Sequence, residues 1–264
     1  MSSEIGKYVS SYTDFGFKRL FGTELNKDLL ISFLNSFLNL KDQIVDLSYI
    51  SLEKLGVLPF DKNAILGTCC KISDDSYIIV KIQNSLPVFI KARSLFHSLS
   101  FISNQAPQGV FDNRIKAVYS ITLVGCELDG DSDSYLHEVV LYDKGSKAKF
   151  CDNIAYYYLE LPKFTKNEDE LETIQDKWMY AIKNLSALNN KPLALKEQVF
   201  TRLFRIAEIA KFSEKEKFAY QGSLKKCGTI MLYWKKVMPM AIMTEKQKER
   251  LKEKPKKNYP SQKI

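Results

Sequence analysis

The stretch AILGTCCKISDDSYIIVKIQ, residues Ala64–Gln83, constrains the fold more than any other part of the chain. Ile65–Ile72 is mostly apolar or β-branched and Tyr77–Ile82 is nearly continuous apolar sequence. Asp74 and Asp75 between them are turn residues, so the stretch predicts two strands joined by a tight turn. Near-continuous apolar strands are buried on both faces, as in the middle of an α/β sheet. Lys81 interrupts the second strand. An ammonium among Ile and Val is costly to bury without a partner. Lys81 therefore either points to a solvated edge or is buried against a group that accepts from it.

Around this pair the pattern is helical on both sides. Thr13 can cap a short helix through Phe21, closed by Gly22, and Asp14 in its first turn suits the positive end of the helix dipole. Asn26–Leu40 carries Leu29, Leu30, Phe33, Leu34, Phe37 and Leu38 on one helical face. Gln43–Ile50 reads as a first strand and residues 55–63 as a loop containing Pro59. In Pro87–Gln105 the residues Phe89, Ala92, Leu95, Phe96, Leu99 and Ile102 recur at helical spacing, which leaves Lys91 and Arg93 on the polar side. Strands follow at Lys116–Val124, Leu136–Tyr142 and Asp152–Leu161. Two further amphipathic helices span Asp169–Leu188 and Leu195–Phe212, and Ser213–Glu216 is a capping box that opens a third.

Several chemistries are disfavoured. The five cysteines include no C-x-x-C pair and their number is odd, which argues against a disulfide framework or zinc site and for a reducing, cytoplasmic setting. His97 and His137 lie near no cysteine in sequence, so nothing local supports a Cys–His nucleophile. No apolar run reaches membrane-spanning length, and residues 1–15 carry no apolar leader. The acidic loop with Asp129, Asp131 and Asp133 places Val140 where a calcium loop needs its twelfth-position Glu.

Several separated motifs resemble the PD-(D/E)xK nuclease family transposases, including the Rpn-type recombination-promoting nucleases. DFGFKRLFG at 14–22 resembles the family opening D-x-x-F-K-x-[LI]-F-G, and DLLISFLN at 28–35 matches a family segment. The strand pair resembles I-[LV]-D-V-x-x-K followed by I-x-[IV]-E-M-Q. LELPKF at 159–164 resembles a family strand exit, and the likeness runs on through SLK at 223–225. The resemblance implies an α/β, restriction-endonuclease-like mixed sheet flanked by helices. It divides the chain into a nuclease core at 1–165, a helical appendage at 166–226 and a basic tail at 227–264.

The family cuts DNA with Mg²⁺ held by carboxylates, which activate water and stabilise charge on the scissile phosphate. Carried over, the resemblance makes Asp14 the acidic residue facing the metal and Gln83 the retained polar residue, and it puts Gly67 and Lys81 where the family has Asp and Glu. Gly67 offers no ligand, and Lys81 sets a positive charge where a cation should sit. Glu24 is another acid near Asp14 in sequence. The expectation is a disabled centre that binds no Mg²⁺, regained when Gly67→Asp and Lys81→Glu are made together. DNA is the implied partner, with Lys91 and Arg93 either approaching a phosphate or forming a solvated face. The alternatives are a catalytically dead DNA-binding or interaction protein, or the product of a decaying mobile-element gene. No oligomeric state follows from the sequence.

The charge supports this caution about DNA. The net charge of +8 arises from residues 226–264, with 11 Lys and Arg against 3 acids, whereas the preceding 225 residues hold 28 of each. From Cys227 the resemblance stops, and the apolar run before Thr244 has poor periodicity and contains Pro239. Codons can be chosen for Cys227–Arg250 that spell, in a neighbouring frame, a polar and acidic ending of the family's kind. The tail is therefore expected to be a frameshifted, disordered translation product, not a basic arm selected for nucleic acid. The nucleotide sequence checks this: codons compatible with the second reading are expected, and incompatible ones refute it.

Overall fold

The computed structural model describes residues 6–50, 67–83, 87–105, 115–128 and 132–229, with the backbone alone for 87–89. The expected loop at 55–63, the strand start at Ile65, Asp129 and Asp131 of the acidic loop, and the tail from residue 230 lie outside the described residues.

Six strands form one mixed sheet: β1 (Leu47–Tyr49), β2 (Gly67–Ile72), β3 (Tyr77–Gln83), β4 (Val118–Val124), β5 (Leu136–Val140) and β6 (Ile154–Glu160), in the order β1-β2-β3-β4-β6-β5. The β2–β3 hairpin turns where the two aspartates predict it. Asp75 takes a φ of 72°, Asp75 N donates to Ile72 O at 2.9 Å, and Ser76 N donates to the Asp74 side chain at 2.8 Å. A short polar side chain that bonds locally tolerates this left-handed backbone. Strands β3, β4 and β6 run parallel, and β1, β2 and β5 pair antiparallel to their neighbours. A parallel pair needs a crossover, and α3 (Pro87–Ser103) supplies it between β3 and β4.

One face of the sheet carries the main core. Ile78, Val80 and Ile82 of β3 pack there with α1 (Asp14–Phe21), α2 (Lys27–Phe37), α4 (Ile174–Asn184) and α5 (Gln198–Ala207). Trp178 is fully buried at its centre, with ring centroids 5.0–5.9 Å from Phe21, Phe33 and Phe200. The opening of α1 follows the sequence closely: Thr13 Oγ1 accepts from Gly16 N at 3.0 Å and donates to Ser10 O at 2.9 Å. Ser213 caps α6, the helix over residues 214–229, through its reciprocal bonds with Glu216. The later helices return to the N-terminal segment. Val9 N donates to Ala207 O, Ile209 N to Lys7 O, Ser10 N to Tyr220 Oη and Phe15 N to Ser223 Oγ, all at 2.9–3.1 Å.

The opposite face corrects two expectations. Lys81 is not at a solvated edge: β3 is an interior strand and Lys81 is 1% exposed. The apolar stripe of α3 is also not its packing face. Ile90, Ser94, His97, Ser98 and Phe101 are buried against the sheet, whereas Leu95, Phe96 and Leu99 are 49%, 53% and 51% exposed. The reason lies in the sheet. On this face β3 presents Lys81 and Gln83 and β4 presents Ser120 and Thr122, all buried. Buried polar groups need partners, so the helix turns its polar side toward them.

Candidate functional site

Register fixes which side chains can meet. Directly paired residues in a sheet share a face. Gly67, Lys81, Thr122, Tyr158 and His137 form one row across β2, β3, β4, β6 and β5, and Gln83, Val124 and Glu160 form the row two residues along. Both rows face α3. Lys81 Nζ lies 2.5 Å from His97 Nδ1, and Ser94 Oγ lies 3.4 Å from Thr122 Oγ1. An ammonium only donates, so Nδ1 of His97 accepts and the ring proton sits on Nε2. Burial first, and then the Lys81 and Arg93 charges, hold the His97 imidazole down to about 3 from its ordinary 6.5. His97 is thus a neutral acceptor for a buried cation.

Gln83, on the adjacent row, is 4% exposed, and neither its Oε1 nor its Nε2 has a hydrogen-bond partner among the described residues. Glu160 is buried at the end of β6. Its carboxylate accepts from Leu128 N at 2.8 Å and Lys163 Nζ at 3.2 Å, and His137 Nε2 stands 2.7 Å from it. This matches the L-E-L-P-K-F motif and gives its acid and lysine a bracing task at the strand exit.

Asp14 belongs to a different neighbourhood. It lines a recess of about 440 Å³ together with Lys18, Arg19, Thr23, Gly67, Glu216 and Ser223. The structure therefore brings Asp14 and Gly67 together at one recess. Lys81 and Gln83 are held under α3 and are not among the described residues lining this recess. The recess acids are already engaged: Lys18 Nζ lies 2.9 Å from Asp14 Oδ1, and Arg19 pairs with Glu216 at 2.6 Å. Lys91 is exposed and Arg93 half-buried on α3. Residues two apart on a helix point to nearly opposite sides. The two cations thus flank the apolar stripe instead of sharing one polar face.

His97, Glu216 and Ser223 were not marked by sequence reasoning. A signal for His97 was present, because Ser94, His97 and Ser98 form a second, polar stripe at helical spacing. Glu216 and Ser223 reach the recess only through the return of α6, which no local pattern encodes. The cysteines offer no nucleophile on this face, since burial pushes the Cys70 thiol up to about 12 and raises Cys69 as well.

The family model described as PD-(D/E)XK nuclease family transposase matches residues 11–228, and the chain belongs to that family. No curated protein and no solved structure matches it. The family is generally metal-dependent, and the residues present here do not fit a metal. Among the described residues no group of three His, Cys, Asp or Glu side chains is placed to hold an ion. Lys81, buried under α3 against His97, offers no oxygen ligand. Asp14 and Glu216 face cations of their own.

Gly67 also bears on the expected rescue by Gly67→Asp with Lys81→Glu. A Cβ at Gly67 would lie 2.2 Å from Val80 O and 3.1 Å from Lys81 Cα, both backbone atoms, so β2 and β3 must part before any side chain fits. The pair of substitutions is therefore not enough to rebuild the site on this backbone. Gly67→Ala is expected to cost about 1–3 kcal/mol of stability, read as a lower urea midpoint. A second expectation concerns pH. Folded His97 stays neutral down to about pH 3, whereas an unfolded histidine protonates near 6.5, so unfolding takes up a proton between these values. The histidine's contribution to stability is then complete above pH 6.5 and is lost as pH falls toward 3. Urea midpoints across that window should fall less steeply for His97→Asn than for the parent chain.

Proposed function

We propose that this chain is a catalytically disabled member of the family: an Rpn-type DNA endonuclease scaffold that no longer hydrolyses phosphodiesters. The observation that carries the reading is Lys81, a buried ammonium braced by His97 where the resemblance puts a metal-binding Glu. Gly67 supports it from the neighbouring strand by closing the space a carboxylate would need. The retained Asp14 and Gln83 are too few for metal-assisted cleavage, which depends on a set of closely placed oxygen ligands. On this reading the chain descends from a mobile-element recombination nuclease and acts in the cytoplasm as a pseudoenzyme, or is the product of a gene in decay.

Retained DNA binding is the second reading, favoured by the exposed Lys91 on α3. The balanced charge of residues 1–225 gives it no long-range electrostatic help. Purified protein is expected to leave supercoiled plasmid intact with Mg²⁺ or Mn²⁺. Metal-dependent nicking that disappears in Asp14→Ala would overturn the proposal. Binding of a labelled duplex, measured across a salt series, separates a DNA-binding pseudoenzyme from a chain without a retained role, because phosphate contacts give affinity a steep salt dependence.

A further inference from the structure

Among the described residues nothing buries the apolar outward face of α3. Ala92, Leu95, Phe96 and Leu99 stand at positions i, i+3, i+4 and i+7, all exposed, on the side directly away from the sheet. That spacing makes the narrow seam by which one helix packs on another. The helix packs inward with Ile90, Ser94, His97, Ser98 and Phe101, so the side chains of this outward stripe are not its packing face. A cluster of this kind is a contact surface, not scattered exposure.

We infer that this stripe is a dimerisation seam, and that its occupant is α3 of a second copy of the chain, crossing antiparallel about a two-fold axis near Phe96. The charges of the helix select that occupant. Lys91 and Arg93 fall in the N-terminal half of the helix, and Pro87–Ser103 contains no Asp or Glu and no basic residue in its last turn. The negative end of the macrodipole acts within the last turn, where α3 itself carries no basic residue. An antiparallel partner brings cations toward it, because each copy's Lys91 and Arg93 then lie toward the C-terminal end of the other helix. A parallel partner would stack like charges. The seam is self-complementary, as a two-fold interface requires.

The size of the seam sets its strength. The 17 residues of α3 span about 25 Å, and one helix pair covers less than the ~1,600 Å² of a standard stable interface. The dimer is therefore a weak, concentration-dependent one. The inference does not depend on whether the chain cleaves DNA.

Sedimentation velocity of the full chain over a concentration series tests it. A reversible monomer–dimer equilibrium is expected, shifted wholly to monomer by Leu95→Glu with Leu99→Glu. Circular dichroism and the melting temperature should stay unchanged, since neither residue packs inward. Oxidative cross-linking then reads the geometry. Phe96→Cys at the two-fold should give a disulfide dimer that is absent from the parent chain, and Lys91→Cys, far from its symmetry mate, should not. A chain that stays monomeric at every concentration overturns the inference. So does a dimer that persists in the Leu95/Leu99 variant, or one that cross-links through Lys91→Cys and not Phe96→Cys, or capture of the stripe by a different protein without self-association.

Discussion

The contact between Lys81 and His97 organises the sheet face that α3 covers. An ammonium inside a core is costly unless partners accept from it. His97 makes it tolerable by remaining neutral and accepting, and it remains neutral because burial and the neighbouring cations disfavour its charged form. From that pairing follows the orientation of α3. The helix must present His97 to β3, and Ser94 and Ser98 lie on the same side, so the stripe containing Leu95, Phe96 and Leu99 can only turn to solvent. A polar demand at one position in the sheet has set the rotation of a whole helix.

The aromatic centre of the fold and the recess at Asp14 are built from different side chains. The main core relies on Trp178, Phe21, Phe33 and Phe200, whose rings pack against one another. Two smaller apolar clusters, around Ile90 with Val124 and around Phe101 with Ile79, add to stability on the α3 side of the sheet. At the end of β2 the close approach of Gly67 to Val80 O leaves no room for a side chain on this backbone.

Much of the architecture was readable in the residues because local signals agreed with tertiary ones. The Asp74-Asp75 turn, the Thr13 and Ser213 caps and the stripe in α2 each stand where the pattern puts them. The failure at α3 has a physical cause. Hydrophobic periodicity reports which face is apolar, and it assumes that the apolar face is the buried one. Here the sheet opposite was itself polar at Lys81, Gln83, Ser120 and Thr122, and that information sits on strands distant in sequence. The candidate site was readable in part for a similar reason. Asp14 and Gly67, both singled out from the motifs, line one recess, whereas Glu216 and Ser223 arrive there through a long-range return of the chain.

That return has a consequence for how much of the polypeptide must be made before it can hold its shape. Backbone and side-chain bonds from Lys7, Val9, Ser10 and Phe15 are completed only by partners between Ala207 and Ser223. A polypeptide still on the ribosome, or one cut short before Ala207, leaves its first helix without a lid and its aromatic centre wet. A reading-frame error upstream of Ser223 would be punished by misfolding and proteolysis. Past that point the described ties thin to Leu224 against the core and the Cys227 thiol on Tyr12 O, so the demand of the fold on the sequence falls off along α6.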